Sequence, residues 1–356
     1  MKKPLAIAFI LVQIVLYAAA WRTVLPKESD FPAFYAAARI WHDGGNPYDL
    51  QQQCSKQIPI RGEPCLPFAH TPLLLPLLSI LSSDDFVASY YRWTTVLLVV
   101  VLICLFPLYQ LARDWKIATQ SILFLPVVIA LALGQDTPFV LLAVLLWLWL
   151  LLDGKDFWAG LVLSLAVLKP QIAILLGVPL LFSRPKAFAG FCAGGLALLL
   201  FSFPLVGTEG FRGLLNIVRV MSQGQGFGVN PATMISVTGL LVRIGLSLTW
   251  SWLFFGVALI AISLLWRRRG ITRKTLSVGL SLALFCAPHL HLHDLSLLTG
   301  PILFLHPLAP VAASAFLAAA YAFGLHQWAA YALLLFTGII LFLRVRTNGE
   351  DEVNDE

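Results

Sequence analysis

The stretch IATQSILFLPVVIALALGQDTPFVLLAVLLWLWLLLDGKD, residues 117–156, decides the fold. Two apolar runs, Ile117 to Leu133 and Phe139 to Leu152, carry no charged residue and flank the polar turn Gly134-Gln135-Asp136-Thr137-Pro138. Charge-free runs of this kind are membrane segments, and in hydrocarbon such a segment satisfies its own backbone as a helix. Both fall short of the roughly 20 residues that a full crossing needs. They fit a membrane if the turn between them sits below the outer surface, in a water-filled recess.

The rest of the 356-residue chain has the same character. Hydrophobic residues make up 59% and charged residues 12%, where about 25% charged is usual for a soluble domain. The mean hydropathy is +0.84. The fold class is therefore an all-α integral membrane protein with many spans. Its net charge of +6 sits in short basic clusters between apolar runs, such as Arg267-Arg268-Arg269, as the positive-inside bias predicts. No basic stripe is present to follow a nucleic acid, so no nucleic-acid partner is expected. Of the five cysteines, Cys104, Cys192 and Cys286 lie in apolar runs and read as small core residues. Cys54 and Cys65 share one polar loop, where a disulfide would be worth about 3 kcal/mol in an oxidising compartment.

The apolar run from Leu5 to about Leu25 follows Met1-Lys2-Lys3. It is longer than a signal-peptide core and reads as a retained first span with a cytoplasmic N-terminus. The loop 26–85 then lies outside the cytoplasm. Within it Pro32 suits a first helical turn, Gly44-Gly45 stops the helix, and Phe34, Ala37, Ala38 and Trp41 mark an apolar face. Tyr35, Arg39 and His42 follow on another side, as in an interfacial helix. A second piece, Thr71 to Leu81, is too short to cross. Keeping the basic clusters inside gives a bundle of about twelve transmembrane helices with both termini cytoplasmic. Residues 207–248 form a second outer loop, with a glycine-rich flap from Gln223 to Gly228 and an interfacial helix after Asn230-Pro231. The single membrane domain, 1–344, ends in an acidic cytoplasmic tail, 345–356.

This alternation brings Ser29-Asp30, Gly134-Gln135-Asp136, Lys169-Pro170-Gln171, Asn230-Pro231 and His289 to Asp294 to the non-cytoplasmic side. Five separated polar motifs on one side argue for a common site. Asp30 is a candidate catalytic carboxylate, although an acidic residue also suits a helix N-terminus for its dipole alone. Lysine deep in a span is costly enough to be read as functional, which singles out Lys169. His289, His291 and His293 suit phosphate, a metal shared with Asp294, or structural hydrogen bonds. Walker, Gly-x-Ser-x-Gly, His-Glu-x-x-His and Cys-x-x-Cys patterns are absent.

The run Ser29-Asp30-Phe31 through Tyr35, Arg39, Gly44 and Pro47-Tyr48-Asp49, with Thr71 to Pro76, Gly134-Gln135, Leu168-Lys169-Pro170-Gln171 and the histidine-rich turn, resembles glycosyltransferase family 87. The likeness covers about Ser29 to Leu298; three alternating histidines are more than that family leads one to expect. It implies a GT-C fold and transfer of a hexose, mannose above all, from a polyprenyl-phosphate-sugar donor to a glycan or glycolipid acceptor. The implied setting is the extracytoplasmic face of a bacterial cell membrane. Asp30 would be the base of an inverting displacement. Tyr35, Arg39, His42, Gln135, Asp136, Lys169, Gln171, Asn230, His289, His291, His293 and Asp294 would bind substrate. A lipid phosphate is already a stable leaving group, so no cofactor and no metal is required, with the histidine-aspartate turn keeping a metal open. The competing class is a transporter or flippase of a lipid-linked saccharide, suggested by broken helices and polar groups at mid-depth. It differs in making no glycosidic bond.

Overall fold

A computed structural model of the chain describes residues 29–222, 231–306 and 309–351. Among these residues the regular structure is all helical, with no strand. The expected first span, the flap from Gln223 to Gly228 and Asn230 lie outside the described residues, as does the end of the acidic tail.

Four helices are long and apolar enough to cross a membrane: Phe86–Ala112, Pro185–Met221, Thr249–Arg269 and His326–Leu343. The pair Trp115–Ile122 and Leu125–Ala132, bent by 48°, passes the same test as one broken span. The bend has a local cause, because Phe124 leaves the helical conformation and Pro126, which has no N–H, cannot continue a helix from Ile122. The other apolar helices, including Thr137–Leu152, Asp156–Leu168 and Pro170–Ser183, are only 10–17 residues long. By length alone, four or five crossings stand among the described residues, against the dozen expected from the apolar runs. The runs were found, but prolines and 3-10 turns at Ser164–Leu168 and Leu292–Leu298 divide them into short pieces. The long helix at Pro185 also breaks, at Gly207, where the backbone takes φ 60° and ψ −168°.

Small residues let the short helices pack closely. A Cβ at Gly160 would overlap the carbonyl of Ala187, and one at Gly190 that of Phe157, so Asp156–Leu163 lies directly against the start of the long bent helix. Trp93, Trp147 and Trp266 are fully buried, and the last two meet at 6.0 Å between ring centroids. Around this core the exterior of Thr249–Arg269 exposes Trp250, Trp252, Leu253, Val257 and Ile260, as a lipid-facing surface would. The outer loop carries the helices Phe31–His42 and Leu50–Arg61, and Cys54 is joined to Cys65 within it.

Candidate functional site

The site is assembled on the turn after Ala132. Gly134 takes φ +66°, a left-handed conformation that ends the helix, and the Gln135 N–H returns to the Ala130 carbonyl at 3.0 Å. Two buried aromatic residues pin the turn. The Tyr90 hydroxyl donates to the Ala132 carbonyl (2.6 Å) and the Trp93 indole to that of Gly134 (2.7 Å). The Asp30 backbone N–H donates to the Leu133 carbonyl at 3.2 Å, which docks the start of Phe31–His42 on the same turn. As a result the Gln135 amide donates to Asp30 Oδ2 at 2.6 Å. Asp30 stands at the helix N-cap without making a side-chain cap bond.

Behind this turn the carboxylates are buried. Asp136 is 0% exposed and lies 2.9 Å from His70 Nδ1. Asp294 is 1% exposed and is surrounded by four polar groups. Lys169 Nζ lies 3.0 Å and His293 Nε2 3.4 Å from its Oδ1, the Thr137 hydroxyl donates to Oδ1 at 3.2 Å, and the His291 backbone N–H donates to Oδ2 at 2.9 Å. Lys169 occupies the break between the 3-10 turn and Pro170, a position before proline that disfavours helix, so its side chain leaves the helical stack toward Asp294. Buried opposite charges at this distance hold each other in place, whereas either one alone would be costly. The Gln171 amide donates to the His289 carbonyl at 3.0 Å, and the Ile235 N–H to that of Leu290 at 2.9 Å, which anchors the histidine-rich turn. The rings of His289 and His291 meet at 4.7 Å between centroids.

These groups head a cavity of about 950 Å³. Its lining includes Asp30, His70, Gln135, Lys169, Gln171, His289, His291 and His293 as well as Leu125, Val128, Ile129, Ile174, Trp252 and Phe255. Asp136 and Asp294 do not reach it; they sit behind the residues that do. Tyr35, Arg39 and His42, expected beside Asp30, are carried elsewhere. The Tyr35 hydroxyl donates to the Ser83 carbonyl (2.9 Å), Arg39 pairs with Asp84 (2.6 Å), and His42 lies 3.3 Å from the Ser79 hydroxyl. The reason is helical geometry. Ala33 and Phe34 follow Asp30 onto the cavity side, whereas the i, i+4, i+7 stripe begun at Tyr35 faces residues 79–85.

His70 went unmarked in the sequence because it stands between the marked elements, after Leu66-Pro67-Phe68-Ala69 and before the short piece from Thr71, where no periodicity singles it out. Its only cue was its place next to Thr71-Pro72. The His70 ring packs on Phe34 at 4.4 Å and Phe68 at 5.5 Å between centroids. Its carbonyl accepts from the Tyr48 hydroxyl at 2.8 Å, and burial pushes the pKa of that phenol up, so it remains a donor. Among the described residues, no three His, Cys, Asp or Glu side chains converge so as to hold a metal ion.

A helical membrane protein with a charged, partly buried site at the head of an amphipathic cavity belongs among the enzymes and carriers of amphipathic molecules. A family model decides between them. Glycosyltransferase family 87 matches residues 68–290, well over half the chain, and the protein belongs to that family. It is therefore a membrane glycosyltransferase, which moves a sugar from a donor to an acceptor. The match takes in His70, Gln135, Asp136, Lys169 and Gln171; it begins after Asp30 and ends before His291, His293 and Asp294. No curated protein and no solved structure matches the chain.

Proposed function

We propose that this glycosyltransferase moves a hexose, mannose in the first instance, with inversion from a polyprenyl-phosphate-linked donor to a glycan or glycolipid acceptor. The setting we propose is the extracytoplasmic face of a bacterial cell membrane, in a GT-C type bundle of about twelve spans. One observation carries the reading: one cavity of about 950 Å³ is lined both by polar and charged groups, Asp30 and Lys169 among them, and by leucine, isoleucine and aromatic residues. A sugar on a lipid phosphate has the same division. Its headgroup needs hydrogen bonds and cations, and its tail needs hydrocarbon.

In this scheme the prenyl chain lies along Leu125, Val128 and Ile129. The phosphate meets Lys169, whose ammonium has three donors of which the Asp294 contact engages one, and the imidazoles of the histidine-rich turn. Charge that develops on the leaving phosphate is stabilised there without reorganisation. The acceptor hydroxyl attacks the anomeric carbon from the opposite face, the bond from that carbon to the phosphate oxygen breaks, and Asp30 takes the hydroxyl proton. Gln135 holds Asp30 in position through its amide.

The test is reconstitution in sealed vesicles with polyprenyl-phosphate-mannose and an extract of envelope glycolipids. The expected result is a new donor-dependent glycoside by mass spectrometry, lost in Asp30→Asn. Movement of the lipid-linked sugar across the vesicle with no new glycosidic bond would overturn the reading in favour of a carrier.

A further inference from the structure

His70 and Asp136 form a second pair at the cavity, beside that of Lys169 and Asp294. The imidazole is held on several sides. Asp136 Oδ2 lies 2.9 Å from Nδ1, Phe34 and Phe68 pack on the ring, and Tyr48 secures the backbone carbonyl. An ionised carboxylate can only accept hydrogen bonds, so the proton of this contact belongs to Nδ1. In the neutral ring Nε2 is then a bare acceptor. His70 lines the cavity, whereas its partner is completely buried.

The chain also brings this pair close to the groups of the proposed transfer. Asp136 directly follows Gln135, which holds Asp30, and it lies within electrostatic reach of Lys169. Any sugar passed from a phosphate at Lys169 to a hydroxyl at Asp30 must lie between those two groups. We propose that His70 is a substrate-contacting residue whose Nε2 accepts a hydrogen bond from a hydroxyl of the donor's sugar, and that Asp136 is the positioning residue that fixes this tautomer. The inference rests on the lipid-linked donor proposed above and adds to it a residue that distinguishes the sugar-bearing lipid from the bare one. A site built to bond a hydroxyl discriminates strongly against a ligand that lacks it.

The experiment measures binding of polyprenyl-phosphate-mannose and of sugar-free polyprenyl phosphate to the full-length protein in nanodiscs. For the parent protein the sugared lipid should bind more tightly. His70→Phe should reduce that preference about tenfold, equivalent to about 1.4 kcal/mol, with binding of the sugar-free lipid unchanged. Asp136→Asn should have a similar effect, and the double variant should be no worse than either single one. His70→Gln, which keeps an acceptor near the Nε2 position, should retain part of the preference. Sugar-free lipid binding reports whether each variant is folded, and loss of both affinities together in His70→Phe and His70→Gln would assign the pair a structural role and overturn the proposal. Full preference in His70→Phe, or additive losses in the double variant, would also overturn it while leaving the donor assignment standing. If the parent protein bound neither lipid, the donor assignment itself would fall, and this inference with it.

Discussion

Asp30 and Asp294 are carboxylates at one site in opposite surroundings. Asp294 is buried and engaged by Lys169, His293, Thr137 and the His291 backbone. Asp30 lines the cavity with one side-chain partner, the Gln135 amide. A carboxylate whose lone pairs are filled by the protein orients other groups, while one that keeps capacity toward a cavity can accept a proton from a substrate. On the proposed mechanism the contrast gives Asp294 the architectural part and Asp30 the chemical one, although the sequence presents both as acidic residues at the edge of apolar runs.

Replacing each by its amide should separate the two roles. Asp30→Asn removes the proposed base and should lower the transfer rate by about 10²–10⁴-fold, the range of general acid–base catalysis. The melting temperature in detergent should stay near that of the parent protein. Asp294→Asn should do the reverse and reach the fold first. It removes the carboxylate that pairs directly with the buried Lys169, at a cost of up to about 3–5 kcal/mol, to be read as a loss of thermal stability before any assay of transfer. If Asp294→Asn were stable and Asp30→Asn were not, the assignment of roles would have to be exchanged.

The legible part of this site follows the cost of polarity. Gln135, Lys169 and the histidine-rich turn interrupt hydrocarbon runs, where an unexplained polar group is expensive, so each stood out. His70 lies in a connecting segment with no helical period to mark it, and only the folded chain reveals Asp136 behind it. The stripe Tyr35, Arg39, His42 was legible as one face of a helix, but periodicity names a face and not what covers it. Residues 79–85 cover it. Likewise the apolar runs and their ends at Lys169 and Gly207 were visible, whereas the break at Phe124, inside a run read as continuous, depends on backbone angles that a hydropathy pattern does not record.

Smaller effects sharpen the comparison from the side of the scaffold. Gly134→Ala places a side chain at φ +66° with its Cβ about 3.1 Å from that of Phe31. The left-handed backbone alone costs about 1–2 kcal/mol. Because this turn carries Gln135, and through it Asp30, the variant should lose activity as well as stability, and the two losses should track each other across temperature.

The smallest expected effect tests the other face of the same helix. Arg39 and Asp84 form an ion pair at 2.6 Å, but their side chains are 23% and 95% exposed. Solvent screens such a pair, and its contribution is about 0–1 kcal/mol. Arg39→Ala should therefore leave kcat/KM within about twofold of the parent value and shift the melting temperature only slightly, since nothing on that face reaches the cavity. A loss of a hundredfold or more in Arg39→Ala, with the fold intact, would mean that the helix turns its basic stripe toward substrate during turnover. The division between a chemical face at Asp30 and a supporting face at Arg39 would then belong to one conformation of the protein and not to its mechanism.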